Sequence, residues 1–203
     1  MPEDSRKRAN GKRSAHRILE AAAAIGSERG YEGATINLIS ERSGLPASSI
    51  YWHFQNKDAL FAAVIDWSFD QWLASVTAFQ EDDELDEQYV EDAMGRALEA
   101  FTRFPDHMRL GVMLALERRQ EEPAGRRRFL DARNVVADRL RDLFGRAFRN
   151  IEPHGVDILV TLTLAVGDGL FVATESGEIE LADAEAVFTT AILAAAERLR
   201  TTP

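Results

Sequence analysis

Apolar residues recur along this chain at i, i+3 and i+4, the spacing of one helix face. The stretch from 57 to 80 is typical, with Leu60, Phe61, Val64, Trp67, Trp72 and Leu73 among polar neighbours. No run alternates with the period of two that a half-buried strand requires. Prolines, glycines and acidic clusters break the pattern, which predicts an all-α chain of about nine helices. The first runs from Ser14 to about Arg29, packing its alanines with Ile18, Leu19 and Ile25. Two short helices follow before the long fourth, over 57–80. E-D-D-E-L-D-E (81–87) is expected to be a solvated loop. Further helices are expected over 88–104, stopped by Pro105, over 106–120, and over 126–149. The eighth opens at Pro153 and reaches about Glu175. The ninth is capped by Asp183 and ends near Arg200.

Residues 35–61 are the most specific segment: T-I-N-L-I-S-E-R-S-G-L-P-A-S-S-I-Y-W-H-F-Q-N-K-D-A-L-F. Thr35 suits an N-cap, its hydroxyl accepting from free backbone N–H groups. Ile36 and Ile39 share a face. Gly44 can take the positive φ that turns the chain, and Pro46 suits the first turn of the next helix. Ile50 and Phe54 point that helix inward, leaving small Ala47, Ser48 and Ser49 outward. Asn56 can cap the following helix. This is the layout of a helix-turn-helix, whose second helix enters the DNA major groove. Lys57 sits in a first turn, where the helix dipole disfavours a cation. A phosphate there would reverse the penalty; the alternative is a solvated lysine.

With R-I-L-E-A-A (17–22), G-Y-E-G-A-T-I (30–36), S-G-L-P-A-S-S-I-Y-W-H-F (43–54) and N-K-D-A-L-F (56–61) in order, residues 14–65 resemble the DNA-binding domain of the TetR family of bacterial transcriptional regulators. The resemblance implies a homodimer with a three-helix DNA-binding domain and a larger helical ligand-binding domain. It implies repression of an operator, released by a small molecule. By position, Thr35, Tyr51 and Lys57 look like phosphate contacts. Asn37, Ala47, Ser48, Ser49 and His53 look like candidates near base edges, and Trp52 could serve either role. Pro46 departs from the serine many relatives carry. The recognition helix also lacks Lys and Arg, so it cannot make their bidentate contact to guanine. Readout would lean on thymine methyls, hydroxyls, Asn37 and DNA shape.

A net charge of −10 is unexpected for a DNA binder. It is unevenly spread: residues 1–60 hold 9 Lys/Arg against 7 Asp/Glu, and residues 61–203 hold 15 against 27. Only one end would approach DNA. Residues 1–13 are expected to form a basic disordered arm, 14–60 the DNA-binding domain, and 61–203 the ligand-binding and dimerisation domain. With no cysteine there is no disulfide framework, and a reducing cytoplasm fits. No uninterrupted run of 18 apolar residues suggests a membrane span. His16, His53, His107 and His154 are scattered, and H-E-x-x-H, G-x-S-x-G and G-x-G-x-x-G are missing. No catalytic residue, metal or cofactor is expected. A helical scaffold that dimerises without binding DNA is the rival. It would have no need of Tyr51, His53 and Lys57 around a short polar helix.

Residues 156–173 and 186–196 are too apolar for one solvent-facing side. They are expected to be buried in a dimer, as the resemblance also implies. Small Gly167, Gly169, Ala194 and Ala195 would allow close approach. A ligand pocket would draw on Trp67, Phe101, Phe104, His107, Met108, Met113, Phe129, Val136 and Phe171, with Asn134, Thr163, Asp168 and Thr174 as polar anchors. The aromatic content favours a bulky, largely apolar ligand, with plain core as the alternative.

Overall fold

The computed structural model describes residues 2–76, 85–116 and 122–200. Among these residues there are nine helices and no strand: α1 (Pro2–Gly33), α2 (Ile36–Ser43), α3 (Ala47–His53), α4 (Lys57–Val76), α5 (Glu87–Arg103), α6 (Asp106–Leu116), α7 (Ala124–Ala147), α8 (Pro153–Glu175) and α9 (Leu181–Leu199). The expected helix ends at 77–80 and 117–120 and the loop at 81–84 lie outside the described residues.

Local chemistry sets most boundaries. Thr35 Oγ1 accepts from the Leu38 N–H at 3.3 Å, and Gly44 takes φ +65° as the C-cap of α2. Asn56 Oδ1 accepts from the Ala59 N–H at 2.8 Å at the start of α4, and Asp86 caps α5 through Tyr89.

Some expectations are corrected. The chain is helical from Pro2, where a disordered arm was expected; residues 3–13 contain no proline and include five helix-favouring Arg and Lys. Pro46 is the extended N-cap residue of α3, not part of its first turn. Glu87 belongs to α5 and not to the acidic loop. Helix α7 starts at Ala124, two residues early, because Asp58 accepts from the Ala124 N–H at 3.1 and 2.9 Å through its two oxygens. Helix α9 starts at Leu181, with Asp183 inside its first turn, where a carboxylate complements the dipole.

The chain forms two compact units: Met1–Asp70 with Asp106–Asp131, and Gln71–Pro105 with Ala132–Pro203. The division falls inside α4 and α7. It does not follow the boundary near residue 60 drawn from the sequence.

In the first unit Ile18, Ile39, Ile50, Leu60, Phe61, Ile65 and Leu110 are fully buried. Glycine lets its helices meet closely. A Cβ on Gly26 of α1 would lie 2.7 Å from the Phe61 ring and 2.9 Å from Leu110. A Cβ on Gly111 of α6 would lie 2.1 Å from the Phe129 ring of α7. Helix α6 and the start of α7 are thereby packed with the helix-turn-helix unit.

The second unit has its own core, including Met94, Leu98, Phe144, Phe148, Leu159, Phe188 and Ile192. Helix α8 is long and apolar enough to cross a membrane by length and composition. Its Leu159, Val160 and Leu170 are instead part of this core.

Candidate nucleic-acid interface

Helix α3 has 7 residues, and among them only Ile50 is fully buried, pointing at the core of the first unit. Helical spacing then puts Ser48, Tyr51 and Trp52 on the opposite face. Tyr51 is 55% exposed and Trp52 76% exposed, unusually high for large aromatics. Ala47, Ser49 and His53 lie on the flanks, half-buried. The outward trio inferred from sequence therefore reduces to Ser48, joined by the two aromatics. Thr35 and Asn37 are exposed at the start of α2, so the structure gathers them with α3 in one helix-turn-helix.

Lys57 is less free than its sequence position suggests. Its Nζ stands 4.3 Å from the Tyr31 ring centroid, donates to the Glu32 carbonyl at 3.4 Å, and lies 3.9 Å from the Glu32 carboxylate. The aromatic face and the two oxygens hold the ammonium against the end of α1. A phosphate there would compete with Glu32 for it. Neither Tyr31 nor Glu32 is singled out by the sequence, because both lie 25 or more positions before Lys57.

His53 also turns inward. Its Nε2 is 2.7 Å from Ser14 Oγ on α1, and its ring meets the edge of Trp52 at 4.5 Å between centroids. Burial holds its pKa below the ordinary histidine value. The neutral ring is thus the folded form. Its contribution to stability is complete above the unfolded histidine pKa and is lost as pH falls through the lowered folded one. An NMR titration of the His53 ring should give a midpoint below that of the unfolded chain; a higher midpoint would contradict the burial.

The ligand candidates fall into separate groups. In the first unit, Trp67 packs edge-on against His16 at 5.3 Å, and His107, Met108 and Phe129 are buried. His107 meets Phe69 at 5.7 Å, and Met113 is exposed. In the second unit, Phe101 stacks on Trp72 at 5.2 Å and meets Phe171 at 5.7 Å. Phe104 is half-buried there and Asn134 is exposed. The Thr163 hydroxyl donates to the Leu159 carbonyl of its own helix, and Thr174 does the same to Leu170 and Phe171. Asp168 accepts from Arg133 at 2.6 Å. The Asp168 charge thus has a protein partner, which the sequence did not identify across 35 positions. A cleft of about 680 Å³ in this unit is lined by Asp86, Glu87, Arg146 and Arg149 among others, and by none of the expected ligand residues.

Residues 18–64 match the family described as bacterial regulatory proteins, tetR family. The HTH-type transcriptional regulator RutR of Escherichia coli is 37% identical over 65 residues, 32% of this chain and 31% of RutR. The match therefore spans about a third of that relative. The HTH-type transcriptional repressor AcnR of Corynebacterium glutamicum is 27% identical over 170 residues, covering 81% of this chain and 83% of AcnR. Among solved structures, a transcriptional regulator from Rhodococcus sp. RHA1 superposes with a TM-score of 0.74 at 19% identity, covering 93% of this chain and 99% of that one. SmeT, the repressor of a Stenotrophomonas maltophilia multidrug efflux pump, gives 0.70 at 18% identity and 89% of both chains. At these identities the structures establish the fold.

Proposed function

We propose that this chain, whose residues 18–64 match the tetR family of bacterial regulatory proteins, is a homodimeric transcriptional repressor that leaves its operator when a small molecule binds. The observation that carries the proposal is α3: two exposed aromatics and Ser48 on one face, with Ile50 fixing that face outward. A solvent-facing indole and phenol suit thymine methyls and the sugar-phosphate edge. The basic balance of residues 1–60 supports approach by this end. The name of AcnR supports repression as the sense of control.

Dimerisation draws support from α8 and α9. Ile158, Val172 and Val187 are exposed, with Ala165, Gly169 and Ala194 exposed on the same two helices. A second copy is the natural cover for such a face. Two recognition helices would then address half-sites about 34 Å apart, one turn of DNA.

Selection from random duplexes tests the proposal. The retained sequences should be near-palindromes, and a chain that retains no sequence at low salt would leave the scaffold reading standing. Tyr51 and Lys57 are proposed to act on phosphate. Lys57→Ala should weaken all duplexes alike and reduce the salt slope by about one per subunit. An unchanged slope would mean that Lys57 serves only Glu32 and Tyr31.

The effector is proposed to be bulky and largely apolar, binding near the aromatic cluster of the second unit. Trp72 is the reporter the geometry supports, through its stack on Phe101. Trp67 packs on His16 instead. An effector should change Trp72 emission and release DNA over one concentration range, and operator should weaken effector binding by the same factor. The emission change should vanish in Trp72→Phe. Compounds that all bind without releasing DNA would refute the sensor role.

A further inference from the structure

Two of the polar contacts between helix α1 and the helix-turn-helix bracket the recognition helix. Ser14 and Arg17 are three apart and share one face of α1. Arg17 Nη2 donates to the Ser43 carbonyl at 2.5 Å. Ser43 ends α2, so this carbonyl is one of those a helix C-terminus leaves unpaired, at the negative end of its dipole. Three residues later Pro46 opens α3. At the other end of α3, Ser14 Oγ is 2.7 Å from His53 Nε2.

The Ser14 hydroxyl carries one hydrogen, and it donates to the Gly11 carbonyl at 2.9 Å. Both contacts are satisfied when His53 Nε2–H donates to Ser14 Oγ. That fixes the tautomer and the ring plane. The fixed ring is the surface against which the Trp52 indole packs, with 86° between planes. A helix of 7 residues with one fully buried side chain has little else within it to stop rotation about that anchor.

We propose that Ser14 and Arg17 are positioning residues that set the rotation of α3, and so the discrimination between DNA sequences rather than the general affinity for DNA. The proposal rests on the DNA-binding role above. A one-sided loss of α1 contact would let Ser48, Tyr51 and Trp52 swing together, because they share one face. Phosphate contacts made elsewhere, at Thr35 and Lys57, would be unaffected.

The test uses the full chain, a duplex obtained by selection and a scrambled duplex of equal length, over a salt series. In S14A the affinity ratio between the two duplexes should fall about tenfold, the scale of one base contact. The salt slope should stay unchanged, because Tyr51 carries no charge and Lys57 is untouched, and the scrambled duplex should lose less affinity than the selected one. S14T should restore the ratio, both variants being compared where circular dichroism finds them folded. S14A in a His53→Ala background should cost nothing more, since Ser14 acts through His53. R17Q should also lower the ratio at constant slope. An unchanged ratio in S14A, additivity with His53→Ala, or a slope reduced by about one in R17Q would overturn the proposal. A wild-type chain with no discrimination would instead refute the DNA-binding role itself, and this inference with it.

Discussion

Val187→Glu should leave the chain folded, monomeric and unable to hold its operator tightly. Val187 is 47% exposed on α9, so a glutamate there meets water in the isolated chain and disturbs no core contact. In the proposed dimer it would bury a charge with no partner, which costs several kcal/mol per ion. Losing the second recognition helix removes its effective concentration on the DNA. Operator affinity should fall by about 10²–10⁴. Sedimentation at micromolar concentration decides the assembly, and a gel shift decides the affinity. Ile192→Glu provides the contrast: Ile192 is 0% exposed in the core of the second unit, so its replacement should unfold that unit instead of cleanly separating subunits. A wild-type chain that sediments as a monomer, or a Val187→Glu chain that still dimerises, would overturn the proposed interface.

Gly111→Val should destabilise the first unit strongly. The added Cβ would lie 2.1 Å from a Phe129 ring that is itself buried, so the ring has no solvent to move into. Overpacking of this kind costs about 1–3 kcal/mol, and more when backbone must shift. For a chain of this length each kcal/mol lowers the melting midpoint by about 2–4 °C. Gly145→Ala is the control. Gly145 lies in α7 with nothing within 4 Å of its added Cβ, so alanine should gain about 0.5–1 kcal/mol from helix propensity. Calorimetry on the two variants should move the midpoint in opposite directions. An unchanged midpoint for Gly111→Val would mean that α6 and α7 separate easily. The close packing of α6 on α7 at Gly111 would then be unimportant.

His53 marks the limit of inference at the candidate site. The family resemblance made it a candidate near base edges, yet its ring bonds Ser14, which lies 39 residues earlier. Lys57 was recognisable as a cation at a helix start, but the Tyr31 face and Glu32 oxygens around it come from the end of α1. Asp58 shows the same thing in the fold: its neighbour Asn56 caps α4 within three positions, while Asp58 caps α7 across 66.

The sequence by itself determined the features governed by interactions within about one helical turn. Thr35, Gly44 and Asn56 set the ends of the helix-turn-helix through their own side chains or their own φ, and Ile50 fixed which side of α3 faces in. Those residues sit within a single short stretch, so the DNA-binding layout is local and legible. Only the tertiary structure decided which faces of the apolar helices are buried. Residues 156–173 and 186–196 carry too little polarity for periodicity to set their orientation, and packing alone puts Ile192 inside and leaves Val187 out. Tertiary structure also gave Asp168 its Arg133 partner and brought α6 to the helix-turn-helix unit through the bare Cα atoms of Gly26 and Gly111. Such contacts join residues 18 to 84 positions apart, from Gly111 and Phe129 to Gly26 and Leu110. Their selection depends on which surfaces fit at close range, a property of two elements together that neither stretch of sequence carries alone.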